Sequence, residues 1–221
     1  MRKVNFINGE YYHIFNRGVD KRKIFLCRED LQRFFQSMNE FNSIKPIGSI
    51  YENSFHKDEK GESGDLIDRE SRKLVNFICY CLNPNHYHFI LEQVSDNGIE
   101  KFMHRLGGYT WFFNKKYDRS GSLFQGRYKA IHIDSNEYLL YLSAYTNLND
   151  KVHQLGGGAA KLVKSSWSEY VDDILSNNGF CEKDIILGQF KNIDEYKSFA
   201  KEALEIIKEN KEKEMEKLLI E

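Results

Sequence analysis

The stretch from Val75 to Gln93 limits most strongly what this chain can fold into. Val75 to Leu82 is apolar and β-prone, Asn83-Pro84-Asn85 is a turn signal, and His86-Tyr87-His88 opens a second apolar run. The pattern predicts a β-hairpin, Leu74 to Gln93, with both histidines at the start of its second strand. Side chains alternate along a strand, so His86 and His88 share one face and Tyr87 takes the other. Two imidazoles about 7 Å apart on one face can chelate a divalent metal, although two polar residues on a solvated sheet face would leave the same trace.

The remaining segments read as partners for that hairpin. Glu10 to Asn16 alternates and predicts a first strand. Arg28 to Phe41 has Leu31, Phe34, Phe35, Met38 and Phe41 at helical spacing. Lys45 to Lys73 is polar and reads as an inserted loop. Asn97 to Tyr117 predicts a helix, weakened at Gly107-Gly108 by roughly 1 kcal/mol per glycine. Leu123 to Ile133 reads as a strand with a basic approach. Asp134 or Ser135 then caps a helix running to about Leu148. Lys151 to Lys164 holds Gly156-Gly157-Gly158 and reads as a flexible connection. A short helix is expected over Ser165 to Leu175, and a long one over Asp194 to Leu219 whose apolar stripe ends at Ile207. The charged turns beyond Ile207 are expected to fray or stand in solvent. Residues 1–150, with the insertion 45–73, are expected to form the main domain, and 151–221 the connection and a helical extension. Strand, helix, hairpin, helix, strand, helix predicts an α+β fold, a ferredoxin-like antiparallel sheet with helices packed on one face.

A net charge of −1 argues by itself against a nucleic-acid partner, but the distribution does not. Met1 to Arg28 has seven Lys/Arg against two acids, and Lys101 to Ala130 has seven against one. Glu182 to Glu221 has eight against eleven, so an acidic tail cancels basic segments. Cys27, Cys79, Cys81 and Cys181 show no disulfide-framework spacing. Cys79 and Cys81 are expected to share a strand face as buried thiols. No apolar segment follows Met1-Arg2-Lys3, so no signal peptide is expected. The uncharged run Val75 to Leu91 is broken by asparagines, a proline and both histidines, and reads as a buried hairpin, with no membrane span. A reducing cytoplasm is the expected compartment.

Metal-dependent cleavage on two histidines needs a third ligand and a nucleophile or activated water. Tyr145 and Asn149 are four apart on the helix after Asp134, on one helical face. An asparagine oxygen suits a hard cation, and a tyrosine one turn earlier would stand beside it. A core tyrosine and a helix C-cap are the plain alternatives for these two residues.

At these positions the sequence resembles the single-tyrosine HUH transposases, most closely the REP-associated tyrosine transposase group. Asn83-Pro84-Asn85-His86-Tyr87-His88 is similar to its His-hydrophobic-His signature. Tyr12-His13-Ile14-Phe15-Asn16-Arg17-Gly18 is similar to its first strand and Arg-Gly turn. Arg119 to Ala130 is similar to its basic loop and strand. Tyr145-Thr146-Asn147-Leu148-Asn149 and Ser165 to Tyr170 are similar to its tyrosine helix and the helix start that follows. The resemblance spans roughly residues 10 to 175. The sequence departs from it in having Asp150 where the family has proline, and in the 45–73 insertion.

The resemblance implies that His86, His88 and Asn149 bind Mg²⁺ or Mn²⁺ and that Tyr145 is the nucleophile; the departure at Asp150 adds a carboxylate that could replace or assist Asn149. It implies a transposase that cuts and rejoins single-stranded or hairpin DNA through a 5′-phosphotyrosine, with no membrane partner and with a homodimer left open. Phosphate contacts are expected from Arg17, Lys21, Arg22, Lys23, Arg105, Lys115, Lys116, Arg119, Arg127 and Lys129. A non-cutting nucleic-acid-binding module and a water-using hydrolase are the alternatives.

Overall fold

The computed structural model describes residues 4–50, 73–153, 157–172 and 179–220. Most of the expected 45–73 loop, Gly156 of the connection and the end of the expected Ser165–Leu175 helix lie outside these residues. The strands are β1 (Tyr11–Arg17), β2 (Val75–Asn83), β3 (His86–Gln93), β4 (Lys129–His132) and β5 (Lys164–Ser165). They form one antiparallel sheet in the order β4-β1-β3-β2-β5. β2 and β3 are the expected hairpin. Its turn is gripped from outside: Pro84 O accepts from Ile24 N and Phe25 N, at 2.7 and 3.1 Å, and Asn85 O accepts from Gly18 N at 2.8 Å.

The register of β2 against β3 shifts between Phe77 and Cys79. That bulge changes the phase of the strand. Phe77 pairs with Leu91 on one face, whereas Cys79, Cys81 and Asn83 pair with Ile90, His88 and His86 on the other. Without the extra residue, strict alternation would put Phe77 on the histidine face. The carbonyls freed there are taken up, with Phe77 O accepting from Glu182 N and Ile78 O from the Tyr170 hydroxyl, both at 2.7 Å.

The helices are α1 (Arg28–Glu40), α2 (Gly98–Leu106), α3 (Tyr109–Lys116), α4 (Asn136–Asn147), α5 (Asn149–Val152), α6 (Gly157–Ala160), α7 (Trp167–Val171), α8 (Asp184–Leu187) and α9 (Ile193–Ile220). They cover both faces of the sheet, where the sequence pattern predicted one. On one face Phe34 of α1 packs on Tyr87 of β3, and Phe102 of α2 packs on Phe77 of β2. On the other, α4 lies across β2 and β3, and α9 packs on α4. The reason is visible in the hairpin, whose inner strands are continuously apolar from Phe77 to Leu82 and so need cover on both sides.

Three further expectations change. The helix expected over Asn97–Tyr117 is two helices, divided at Gly107-Gly108. The strand expected over Leu123–Ile133 joins the sheet only at Lys129–His132. Before that, Phe124 bridges Gly18, and Gly126 has φ +73°, a left-handed turn that breaks the ladder. Lys164 and Ser165, expected in a loop and at a helix start, add the edge strand β5 to β2.

α4 starts at Ser135, whose hydroxyl accepts from Tyr138 N at 3.3 Å. It ends at Asn147, and Asn149 opens the separate turn α5 after Leu148 leaves helical geometry (φ −111°, ψ 19°). The four cysteines are free, with Cys79 and Cys81 buried on the histidine face. No described helix is long and apolar enough to cross a membrane.

Candidate functional site

Four histidines gather on the sheet face that α4 covers. His86 pairs with Arg17 and His88 with Phe15 across β3 and β1. His13, two residues before Phe15, shares their face and stacks on His88 with ring centroids 5.1 Å apart. His13 Nε2 and His88 Nδ1 are 2.9 Å apart. His153, at the end of α5, stands edge-on to His86 at 4.8 Å. His86 and His88 are marked in the sequence by their spacing. His13 lies in the Tyr12–Gly18 motif, but nothing local marks which way it faces.

Tyr145 stands edge-on to His88, centroids 5.3 Å apart, and to His13 at 6.2 Å. Asn149 Oδ1 lies 2.9 Å from His86 Nε2. α4 and the turn α5 thus bring the expected tyrosine and asparagine to the two expected histidines. Asp150 lies near the Cys81 thiol, on which its charge acts, and burial raises its own carboxyl above the usual range. The contact to His86 comes from Asn149.

Asn83 and Asn85 do more than turn the chain. Asn85 Nδ2 donates to Lys21 O at 3.2 Å, which orients its amide. Its Oδ1 then accepts from His86 Nδ1 at 2.7 Å, so the proton of neutral His86 sits on Nδ1. Nε2 is left with a lone pair. Buried Asn83 donates its Nδ2 toward both that lone pair and Asn149 Oδ1, at 2.9 and 2.8 Å.

His86 Nε2 and Asn149 Oδ1 are therefore two acceptors facing each other at 2.9 Å. The Asn83 amide hydrogens serve both, and a bound cation would take the same place. Adjacent ligands of a cation with about 2.1 Å bonds in octahedral geometry stand roughly 3 Å apart, so the spacing fits Mg²⁺ or Mn²⁺. Asn149 Nδ2 is buried without a hydrogen-bond partner, a cost accepted to keep the oxygen aimed at His86. No group of three or more His, Cys, Asp or Glu side chains is gathered at metal-binding geometry among the described residues.

Burial keeps these imidazoles neutral, as ligands must be. His13 is pushed down to about 4. His88 is held well below the ordinary value by burial and then by the neighbouring His13, His86 and His153, and burial lowers His86 as well. His153 is pushed down to about 4, mainly by burial. Burial raises Tyr145 above the ordinary tyrosine value, and Asn149 beside it acts the other way.

The cleft holding His86 and His88 is rimmed by Arg17, Lys21, Lys129 and Lys211, with no carboxylate on its lining. Three of these four cations were expected phosphate contacts. Other expected contacts are engaged away from the cleft. Arg105 donates to the Phe41, Ser43 and Ile44 carbonyls. Lys116 pairs with buried Asp30 at 2.7 Å, Lys115 lies over Trp111 and Arg119 over Phe113. Arg22 pairs loosely with Asp20 at 3.6 Å, Lys23 is exposed, and Arg127 lines a second cleft behind the sheet.

No protein-family model matches the sequence, and no curated protein matches it. The fold matches a solved structure, that of a REP-associated tyrosine transposase bound to a REP hairpin, with TM-score 0.50 and 11% identity. The match covers 79% of this chain and 87% of that one. The α+β sheet with packed helices is the fold of that transposase.

Proposed function

We propose that this protein is a metal-dependent single-stranded DNA transposase that cuts and rejoins strands at hairpin-forming repeats through a 5′-phosphotyrosine. One observation carries the reading: Tyr145 stands against His88 and the Asn149 amide oxygen against His86, and both histidines line a cleft that holds four cations and no carboxylate. The fold likeness supports it, because the matched transposase is bound to a hairpin. The catalytic unit is residues 1–150, and 151–221 is an extension that shares its core.

His86, His88 and Asn149 would hold Mg²⁺ or Mn²⁺. Bound there, the ion would neutralise phosphate charge and polarise the P–O bond. The residues of the chain do the rest. Arg17, Lys21 and Lys129 track phosphates, with Arg22, Lys23, Arg119 and Arg127 available to flanking DNA. Asn149 lies beside Tyr145 and counters part of the effect of burial on its hydroxyl. The Tyr145 oxygen attacks phosphorus and loses its proton. The bond from phosphorus to the 3′-oxygen breaks, and that oxygen leaves as a 3′-hydroxyl after taking up a proton. The phosphotyrosyl bond keeps the phosphodiester energy, so the strand can be rejoined without ATP.

The test is a denaturing gel after incubation with labelled hairpin DNA carrying single-stranded flanks, with Mn²⁺. Wild type should leave protein joined to DNA. Tyr145→Phe should fold and bind DNA but form no adduct, since only the attacking oxygen is lost, while Tyr138→Phe and Tyr141→Phe keep most activity. Strand cleavage without an adduct would transfer the reading to a hydrolase. Binding without cleavage would transfer it to a non-cutting module.

A further inference from the structure

Helix α9 reaches the histidine cleft from outside the sheet. Tyr196 anchors its first half, where the hydroxyl accepts from Asn147 Nδ2 at 2.9 Å and meets Ser143 Oγ at 3.2 Å. At about 1.5 Å per residue, Lys211 lies roughly 22 Å further along the helix. There its ammonium donates to Val152 O at 3.2 Å and to His153 Nδ1 at 3.1 Å. His153 is the ring that stands against His86, and Lys211 lines the same cleft as His86 and His88.

Neither acceptor carries negative charge, and no carboxylate pairs with Lys211 among the described residues. A phosphate oxygen adds the attraction of opposite charges, which neither present acceptor offers the ammonium. A phosphate oxygen would therefore displace a carbonyl and an imidazole nitrogen as partner for this ammonium. The flexible four-carbon stem lets the charge move with little cost to the helix. Arg17 and Lys129 approach the cleft from β1 and β4, while Lys211 approaches from the helical layer.

We infer that Lys211 is a DNA-phosphate-binding residue of this cleft, contributed by the C-terminal helix and resting on Val152 O and His153 Nδ1 until a strand arrives. The inference rests on the reading of the cleft as a DNA site.

The experiment measures binding of a fluorescently labelled stem–loop oligonucleotide with single-stranded flanks across a salt series. Wild type, Lys211→Met and Lys211→Arg are compared in the full chain, with thermal unfolding of each. Lys211→Met should bind roughly tenfold more weakly at low salt. Its slope of log affinity against log salt should be shallower by roughly 0.7 to 0.9, the value of one phosphate contact. Lys211→Arg should keep both. Replacing single phosphates near the hairpin base with neutral methylphosphonates should reveal one position that weakens wild type but not Lys211→Met. If wild type binds and Lys211→Met matches it in affinity and slope, the inference is overturned. If the methylphosphonate series shows no such position, it is overturned even where Lys211→Met folds poorly. If wild type binds no single-stranded DNA, the DNA reading of the cleft falls first and this one with it.

Discussion

His13 Nε2 lies 2.9 Å from His88 Nδ1, and the two rings stack with their planes 18° apart. The pair is buried, and it links the first strand to the third. A metal on His88 Nε2 requires the proton on Nδ1, which then donates to His13. His13 thus sets the tautomer and the ring angle of a proposed ligand. Removing such an outer partner commonly costs 10- to 100-fold in metal affinity. His13→Phe, which keeps a ring but no acceptor, should weaken Mn²⁺ binding by that order in calorimetric titration. His13→Gln should recover part of it. Mn²⁺ affinity unchanged in His13→Phe would show that His13 only fills space.

The same burial makes the metal-free protein sensitive to acid. His13 titrates at about 4 in the folded chain, against an ordinary 6.5. Between these values the unfolded chain binds more protons, so stability falls as pH falls through this window. At 1.36 kcal/mol per tenfold change in proton affinity the loss is roughly 3 kcal/mol. Asp30 acts lower on the scale. Its carboxylate is held below the ordinary 3.8 by hydrogen bonds from Lys116, Leu26 and Tyr117, against the opposing effect of burial, so that contribution is lost only at more acid pH. Urea unfolding in chelator should show the decline between about pH 6.5 and about pH 4, and His13→Gln should lessen it, the part from His86, His88 and His153 remaining. A flat wild-type profile over that range would contradict the assignment.

Gly18 links the basic loop to the hairpin turn. Its N–H donates to Asn85 O, and a Cβ there would lie 2.1 Å from Arg22 O, a backbone atom that cannot step aside. Gly18→Ala should destabilise the fold by about 1–3 kcal/mol, the usual cost of overpacking. The strain falls on the segment that carries Arg17 and Lys21, so DNA affinity should drop as well. A melting temperature equal to wild type would mean that the loop opens freely.

Two lysines close in sequence should behave differently. Lys116 compensates Asp30, whose side chain is fully buried, while Lys129 lines the cleft. Lys116→Met should cost about 1–3 kcal/mol of stability, because a buried carboxylate loses a partner, and should leave the salt dependence of DNA binding unchanged. Lys129→Met should do the reverse, with near-native stability and a shallower salt slope. If the two variants exchanged these phenotypes, the cleft would be on the wrong face of the sheet.

The local features of this chain were decided by residues next to one another. The hairpin, the shared face of His86 and His88 and the one-turn spacing of Tyr145 and Asn149 follow from periods of two and 3.6, which neighbouring residues set. The cap at Ser135 and the break at Gly107-Gly108 are local for the same reason. Asn83 and Asn85 were legible as turn residues, but their hold on His86 and Asn149 needed the fold. The distance from His13 to His88 depends on the register of β1 against β3, which no local pattern encodes. The bulge after Phe77 decided which face each β2 side chain takes, and Lys211 entered the cleft only through the packing of α9 on α4 and α5. Charge alone could not separate Lys129 from Lys116 and Arg105. Each is a cation in a basic segment, and its partner is chosen by which face of the sheet it meets. Local covalent geometry therefore determined the pieces, while long-range pairing and burial decided which of them share one cleft.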